Sequence, residues 1–128
     1  MGVLMNDFHT NQPIFVQIRQ RLGEMILRGS VGEGAALPSV RQIAAELSVN
    51  PLTVTKAFDA LADLGVVERR RGLGMFVTPG AREKLLTHER RKFLAEDWPR
   101  ILSQIKALEL TPEQLLADRD NLPGAKDD

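Results

Sequence analysis

Apolar residues recur at helical spacing in two short stretches between residues 37 and 77, with a three-residue break between them. Ser39 can cap the first helix. The apolar positions of this helix are Val40, Ile43, Ala44 and Leu47. The second helix begins at Asn50-Pro51, where Asn accepts a cap hydrogen bond and proline occupies the first position, and it stops at Gly65. Its apolar positions are Val54, Ala57, Phe58, Leu61 and Leu64. Two short helices about a tight turn predict a helix-turn-helix unit.

The segment after Gly65 has the character of two short strands. Residues 66–70 and 75–77 flank Arg71-Gly72-Leu73-Gly74, a pattern that predicts a β-hairpin with a glycine-bearing loop. A helix-turn-helix followed at once by a two-stranded wing is a winged helix. We therefore expect double-stranded DNA as its partner.

Another helix is predicted ahead of this unit, from Gln12-Pro13 to about Arg28, with Gly29 as its stop. Its apolar stripe, which we expect to pack under the helix-turn-helix, consists of Ile14, Phe15, Ile18, Leu22, Met25 and Ile26. Residues 29–37 are predicted to form a loop. Because the loop lacks the GxxxxGK[ST] pattern, we expect no nucleotide there. Residues 1–10 are predicted to be a loose leader.

The break at Thr78-Pro79-Gly80 predicts a domain boundary, with a winged helix over residues 12–78 and a helical dimerisation segment over residues 81–118. The second segment carries a heptad seam at spacings of 4, 3, 4 and 3, formed by Leu94, Trp98, Ile101, Ile105 and Leu108. Pro99 predicts a kink or a restarted helix near Asp97-Trp98. A last helix starts at Thr111-Pro112, with Gln114 in the capping-box position, and residues 121–128 are a polar tail.

Two helices of this size cannot close a core of their own. The seam must either fold back on the winged helix or pair with a second chain, and we favour pairing because a helix-turn-helix reads two half-sites as a dimer. The fold class is thus mainly α: a winged helix-turn-helix of three helices and a two-stranded wing, followed by a short two-helix dimerisation tail.

Composition excludes several other classes. The chain has 128 residues, no Cys, no Tyr and two His, so neither a disulfide framework nor a nucleophile–base arrangement can be assembled. His9 and His88 are too few for a metal site, and we expect no metal, no cofactor and no enzymatic activity. No apolar run approaches the ~20 residues of a membrane span, so we expect a cytoplasmic protein without a membrane partner.

Net charge does not itself indicate a nucleic-acid partner, because 17 Lys and Arg balance 17 Asp and Glu. The positions of the charged residues in the fold therefore matter more than their total. We expect Arg41, Lys56 and the wing arginines 69–71 to share one face, whereas Glu46, Asp59 and Asp63 fall elsewhere on their helices.

Four segments of this chain resemble the DNA-binding domain of the GntR family of bacterial transcriptional regulators: Leu37–Arg41, Val49–Val54, Gly65 and Gly72–Val77. The resemblance covers about residues 12–78, and with its short tail the whole chain is similar to the YtrA-like subfamily. It implies a dimeric repressor that binds an inverted-repeat operator. It also implies that these residues meet DNA: Ser39, Arg41, Asn50, Thr53, Thr55, Lys56 and Gly74.

The residue types predict which side chains contact bases and which contact the phosphate backbone. Asn50, Thr53 and Thr55 are expected at base edges in the major groove or at the neighbouring phosphates, and the planar fork of Arg41 can meet guanine or phosphate. Lys56 and Arg69, Arg70 and Arg71 are assigned to the phosphate backbone, and Gly72 and Gly74 to a close approach of the wing to the minor groove. The plainer interpretation is that Asn50 is only a cap and that the threonines are merely solvated.

The predicted function is sequence-specific transcriptional regulation, chiefly repression of the protein's own operon. The alternative is a winged helix that binds another protein without specific DNA binding. Only about 48 residues follow Gly80, too few to enclose a drug-sized pocket in one chain. A small-molecule effector, if the protein has one, is expected in the dimer cleft.

Overall fold

The computed structural model of the chain describes residue 8 and residues 11–117. Three predictions lie outside the described residues: the loose leader, apart from Phe8, the absence of a metal-binding role for His9, and the polar tail at residues 121–128. The last residue of the predicted dimerisation segment, residue 118, lies outside them as well.

Three helices form the first part of the chain: α1 (Ile14–Arg28), α2 (Val40–Leu47) and α3 (Pro51–Asp63). Gly29 ends α1 in the left-handed conformation, with φ of 79°, as its position after the apolar stripe predicted. The stripe is slightly shorter than expected, because Ile14 is exposed. Gln17 is buried instead, and its Nε2 donates to the carbonyl oxygen of Gln12 at 2.9 Å, which satisfies the buried amide.

The turn between α2 and α3 forms as the sequence predicted. Ser39 caps α2 in a complete capping box: its Oγ accepts the Gln42 N–H at 3.0 Å, and Gln42 Oε1 accepts the Ser39 N–H at 2.8 Å. Ser48 ends α2 with φ of 55°, and Asn50 then caps α3. The apolar faces of the two helices pack with α1 into one core, whose members include Ile18, Leu22, Ile43, Leu47, Val54, Phe58 and Leu61.

Two antiparallel strands, β1 (Val67–Arg70) and β2 (Gly74–Val77), form the wing, with Val67 opposite Val77 and Arg70 opposite Gly74. The segment before α2, predicted as a loop, adds a short third edge to this sheet. Ala36 bridges to Phe76, and the Leu37 N–H donates to the Met75 carbonyl at 2.8 Å. These bonds join the start of α2 to the wing.

Helix α4 (Ala81–Lys92) begins after the predicted break, yet its first turns belong to the winged-helix core. Ala81 and Leu85 are fully buried there. The Glu33 carboxylate accepts the Gly80 N–H at 2.8 Å, and Arg82 Nε donates to the Leu27 carbonyl at 2.8 Å. The compact unit accordingly extends to His88, beyond the residue 78 at which the sequence placed its end.

The described residues from Glu89 to Ala117 belong to a second compact unit. After α4 comes a π-helical turn, Phe93–Asp97, followed by α5 (Trp98–Ala107) and α6 (Pro112–Ala117). The Trp98 N–H donates to the Phe93 carbonyl, five residues back. The wider turn places Pro99 at the beginning of α5, where its missing N–H is tolerated. The backbone stays helical through Asp97 and Trp98, so the irregularity predicted there is a π-helical turn and not a new helix start.

The second unit ends with α6, whose first turn is capped. The exposure of the predicted seam residues varies along the unit. Thr111 and Gln114 form the expected capping box, with the Gln114 N–H donating to Thr111 Oγ1 at 3.2 Å. Along the predicted seam, Ile105 is buried within its own chain, and Trp98 and Ile101 are half-buried. Leu94 and Leu108 are 64% and 62% exposed.

Candidate nucleic-acid interface

The first turn of α3 is held by its cap and carries the predicted base-reading residues. Asn50 Oδ1 accepts the Leu52 N–H at 2.8 Å, and the Asn50 carbonyl accepts the Thr53 N–H at 2.9 Å. The cap occupies the side-chain oxygen of Asn50, so its amide N–H groups can donate to an outside acceptor. The hydroxyl of Thr55 donates to the Pro51 carbonyl at 3.1 Å and keeps its lone pairs as acceptors.

Helix α2 presents Arg41 next to this turn. Arg41 is exposed and follows the capping box at Ser39. An open groove borders both helices, and its lining consists of Val40, Arg41, Ala44, Ala45, Val49 and Pro51. The start of α2 and the first residue of α3 therefore border the same groove.

Two of the three wing arginines are already paired with carboxylates. Arg69 Nη2 lies 3.7 Å from Asp59 Oδ1 of α3. Arg70 Nη2 lies 3.3 Å from Glu68 Oε1, and its guanidinium stacks 4.2 Å from the centroid of the Phe76 ring. Arg71 is exposed in the hairpin turn. The expectation that Asp59 falls away from the basic residues is wrong, because β1 packs along α3 and places Arg69 beside it.

Lys56 is anchored by an aromatic ring on another helix. Its Nζ lies 5.0 Å from the centroid of the Phe15 ring in α1, within the range of a cation–π interaction. The residue remains exposed, so its ammonium group can still donate to a phosphate.

The glycines of the wing turn are explained by backbone conformation. Gly72 has φ of 76° and Gly74 has φ of 106°, values that favour glycine. A Cβ at either position would meet no protein atom within 4 Å, so internal crowding is not the reason for glycine here. The predicted close approach to DNA remains a separate prediction.

Sequence reasoning missed two exposed leucines. Leu52, the second residue of α3, is 71% exposed, and Leu73, between the two wing glycines, is 69% exposed. Leu52 is out of phase with the buried positions of α3, a signal that was available in the spacing. Both leucines lie on elements that the prediction assigned to DNA.

Other kinds of site find little support in the part of the chain that the structure describes. Within it, no group of three His, Cys, Asp or Glu side chains is placed to hold a metal ion. His88 is partly buried on α4. None of the described helices is long and apolar enough to cross a membrane.

The three-helix core, the wing and the exposed polar start of α3 define a winged helix-turn-helix protein of the DNA-binding regulator class. The family described as "Bacterial regulatory proteins, gntR family" matches residues 15–77. The chain is 33% identical over 111 residues to the uncharacterized HTH-type transcriptional regulator YhcF of Bacillus subtilis, covering 87% of this chain and 90% of YhcF. It belongs to the GntR family of bacterial transcriptional regulators, and is thus a DNA-binding transcriptional regulator.

Two further similarities concern a named repressor and a solved structure. The HTH-type transcriptional repressor YtrA of Bacillus subtilis is 38% identical over 80 residues, which is 62% of each chain. A GntR family transcriptional regulator from Listeria monocytogenes superimposes with a TM-score of 0.73 at 24% identity, covering 91% of this chain and 100% of the other. The family predicted from the sequence motifs is confirmed, as is the winged helix with its C-terminal helices.

Proposed function

We propose that this protein is a dimeric repressor that occupies an inverted-repeat operator controlling its own operon. The observation that carries the proposal is the start of α3, where a capped turn presents the exposed Asn50 and the half-buried Thr53 and Thr55. Pro51 of this turn and Arg41 line the same groove. Donors and acceptors on a rigid helix start are what reading base edges in the major groove requires. The similarity to YtrA, a repressor by name, favours repression over activation.

Within this proposal the side chains divide into readers and anchors. Asn50, Thr53 and Thr55 read base edges, together with Arg41. The anchors, which meet phosphates, are Ser39, Lys56, Arg69, Arg70 and Arg71. Gly72 and Gly74 let the turn of the wing approach the minor groove. Arg69 and Arg70 must exchange their carboxylate partners for phosphates, whereas no carboxylate of the described residues pairs with Arg71.

We assign dimerisation to the segment from residue 81 to residue 118. Leu94 and Leu108 are exposed at the two ends of the seam, and Phe93 is also exposed. Exposed apolar side chains at helical spacing are typical of a surface that another copy covers. Trp98 and Ile101 contribute their accessible parts. Ile105 supports the seam from within its own chain, since it is already buried there.

A small effector, if one acts on this protein, would bind at the junction between the two copies. Its effect on DNA affinity would then come from a change in the spacing of the two α3 helices. Coupling free energies between two such sites are typically ~1–3 kcal/mol.

A protein-binding winged helix is the alternative, and one observation favours it. The formal net charge is +0, and two wing arginines are paired with Asp59 and Glu68, which lowers the attraction to a polyanion. A gel shift with duplex DNA from the protein's own promoter, measured over a range of salt concentrations, separates the two functions. The repressor predicts a sequence preference and a steep salt dependence, and the protein-binding scaffold predicts weak binding that changes little with sequence.

A further inference from the structure

Leu52 is an exposed apolar side chain in the first turn of α3, the proposed reading helix. It is the second residue of α3 and is 71% exposed, whereas the core-facing residues of that helix, Val54, Ala57, Phe58 and Leu61, are buried. Nothing in the packing of α3 requires a leucine at this position. A polar residue would be expected on a solvated helix start.

The backbone that carries Leu52 is held in place from two sides. Its N–H donates to Asn50 Oδ1 at 2.8 Å, and Pro51 fixes the preceding backbone dihedral angle. The leucine side chain therefore projects from a rigid position next to Asn50 and Thr53. Such rigidity is what makes a contact selective, because little ordering remains to be done on binding.

The C5-methyl group of thymine is the only methyl group that the four bases present on their edges in the major groove. Adenine, guanine and cytosine present hydrogen-bonding atoms there, and a leucine against those atoms would strip them of water without replacing the lost hydrogen bonds. An exposed leucine at the start of a reading helix is thus complementary to thymine and unfavourable to the other bases.

We propose that Leu52 is a specificity-determining residue that recognises a thymine C5-methyl group in each operator half-site. This inference rests on the proposed function, since it requires that α3 enter the major groove. It adds an apolar contact to the hydrogen-bonding residues that the sequence identified.

The chain supplies a matched control in Leu73. This leucine is 69% exposed, nearly as much as Leu52, but it lies in the turn of the wing. The wing is assigned to the minor groove, whose edges carry no methyl group. Leu73 can contribute apolar contact to binding, but that contribution must be independent of thymine methylation.

The test replaces thymine by uracil, which differs only by lacking the C5-methyl group. The full chain is first used to select its preferred duplex from a randomised library, and each thymine of that duplex is then replaced singly by uracil. For the unchanged protein we expect one position in each half-site where uracil weakens binding by about fourfold, the factor for losing burial of one methyl-sized group.

The substitution Leu52→Ala should abolish the uracil effect at that position, and Leu73→Ala should leave it at about fourfold. Both variants should keep the thermal stability of the parent, because both side chains are exposed. The inference is overturned if no thymine is sensitive to uracil or if the Leu52→Ala variant keeps the sensitivity. If no duplex is selected at all, the proposed function fails together with the inference. Selective binding without a dependence on the methyl group and Leu52 contradicts the inference alone.

Discussion

Asp59 of α3 and Arg69 of β1 form an ion pair, with Asp59 Oδ1 3.7 Å from Arg69 Nη2, between the proposed reading helix and the wing. Both side chains are more than half exposed, so the pair itself stabilises the fold by only ~0–1 kcal/mol. The ion pair has a larger effect on DNA binding than on the stability of the fold. A carboxylate beside a phosphate-binding arginine competes with the phosphate and restrains non-specific binding.

The substitution Asp59→Asn should therefore raise affinity for any duplex by several-fold at low salt. Removing the carboxylate frees Arg69 for a phosphate, which should steepen the dependence of log K on log salt by up to about 1. Asp63→Asn, an exposed position farther along the same helix, is the matched control for charge. Fluorescence anisotropy with random-sequence DNA measures both variants. Equal effects of the two substitutions would show that only net charge matters.

Readers and anchors should differ in how they depend on sequence. Arg71→Ala should weaken binding to operator and random DNA alike and lower the salt slope by about 1, because one phosphate contact is lost. Arg41→Ala or Thr53→Ala should cost roughly 1–3 kcal/mol on the operator and much less on random DNA. Competition gel shifts with both duplexes make the comparison. If every variant lost affinity for both duplexes in the same proportion, the assignment of readers and anchors would be wrong.

A single charged substitution in the proposed seam should prevent dimerisation. Ile101→Glu places a carboxylate in the proposed seam and should give monomers, with lower operator affinity because the second half-site contact is lost. Ser103→Glu, at an exposed position on the same helix, should leave the oligomeric state unchanged. Light scattering gives the mass of both variants. An intact dimer for Ile101→Glu would refute the assignment of the seam.

Leu85 tests where the winged helix ends. It is fully buried, and a Cβ placed on Gly23 would lie 3.4 Å from its Cδ2, so α4 packs closely on α1. Leu85→Ala should lower the free energy of unfolding by roughly 2–5 kcal/mol, the usual cost of such a core truncation. Leu73→Ala, at an exposed position in the wing, should change it by less than about 0.5 kcal/mol. Urea denaturation compares the two. A small loss for Leu85→Ala would show that α4 contributes little to the stability of the winged helix.

The predictable parts of this fold are those set by local chemistry. Asn50-Pro51, Ser39 and Gly29 each mark a helix end by a physical requirement that needs no knowledge of the rest of the chain. The π-helical turn before Pro99 was anticipated only as an interruption, since a missing N–H does not specify how the neighbouring backbone adapts.

The parts that sequence reasoning missed depend on contacts between distant segments. The bridge from Ala36 to Phe76 is a single residue pair, too short to produce an alternating pattern. The burial of Leu85 depends on which neighbour α4 packs against, and apolar spacing does not name that neighbour. The candidate nucleic-acid interface likewise has features that local sequence predicts and features that depend on distant contacts. Residue types identified the exposed face, whereas the ion pair of Asp59 with Arg69 arises only when β1 packs along α3.

In vitro selection of duplex DNA from a randomised library tests the central claim most directly. A dimeric repressor with two α3 helices predicts an enriched inverted repeat whose half-site centres lie about 34 Å apart, or a multiple of that distance. The same sequence should occur upstream of the protein's own operon. Enrichment of no sequence, or of a single unrepeated site bound by one chain, would contradict the proposed function.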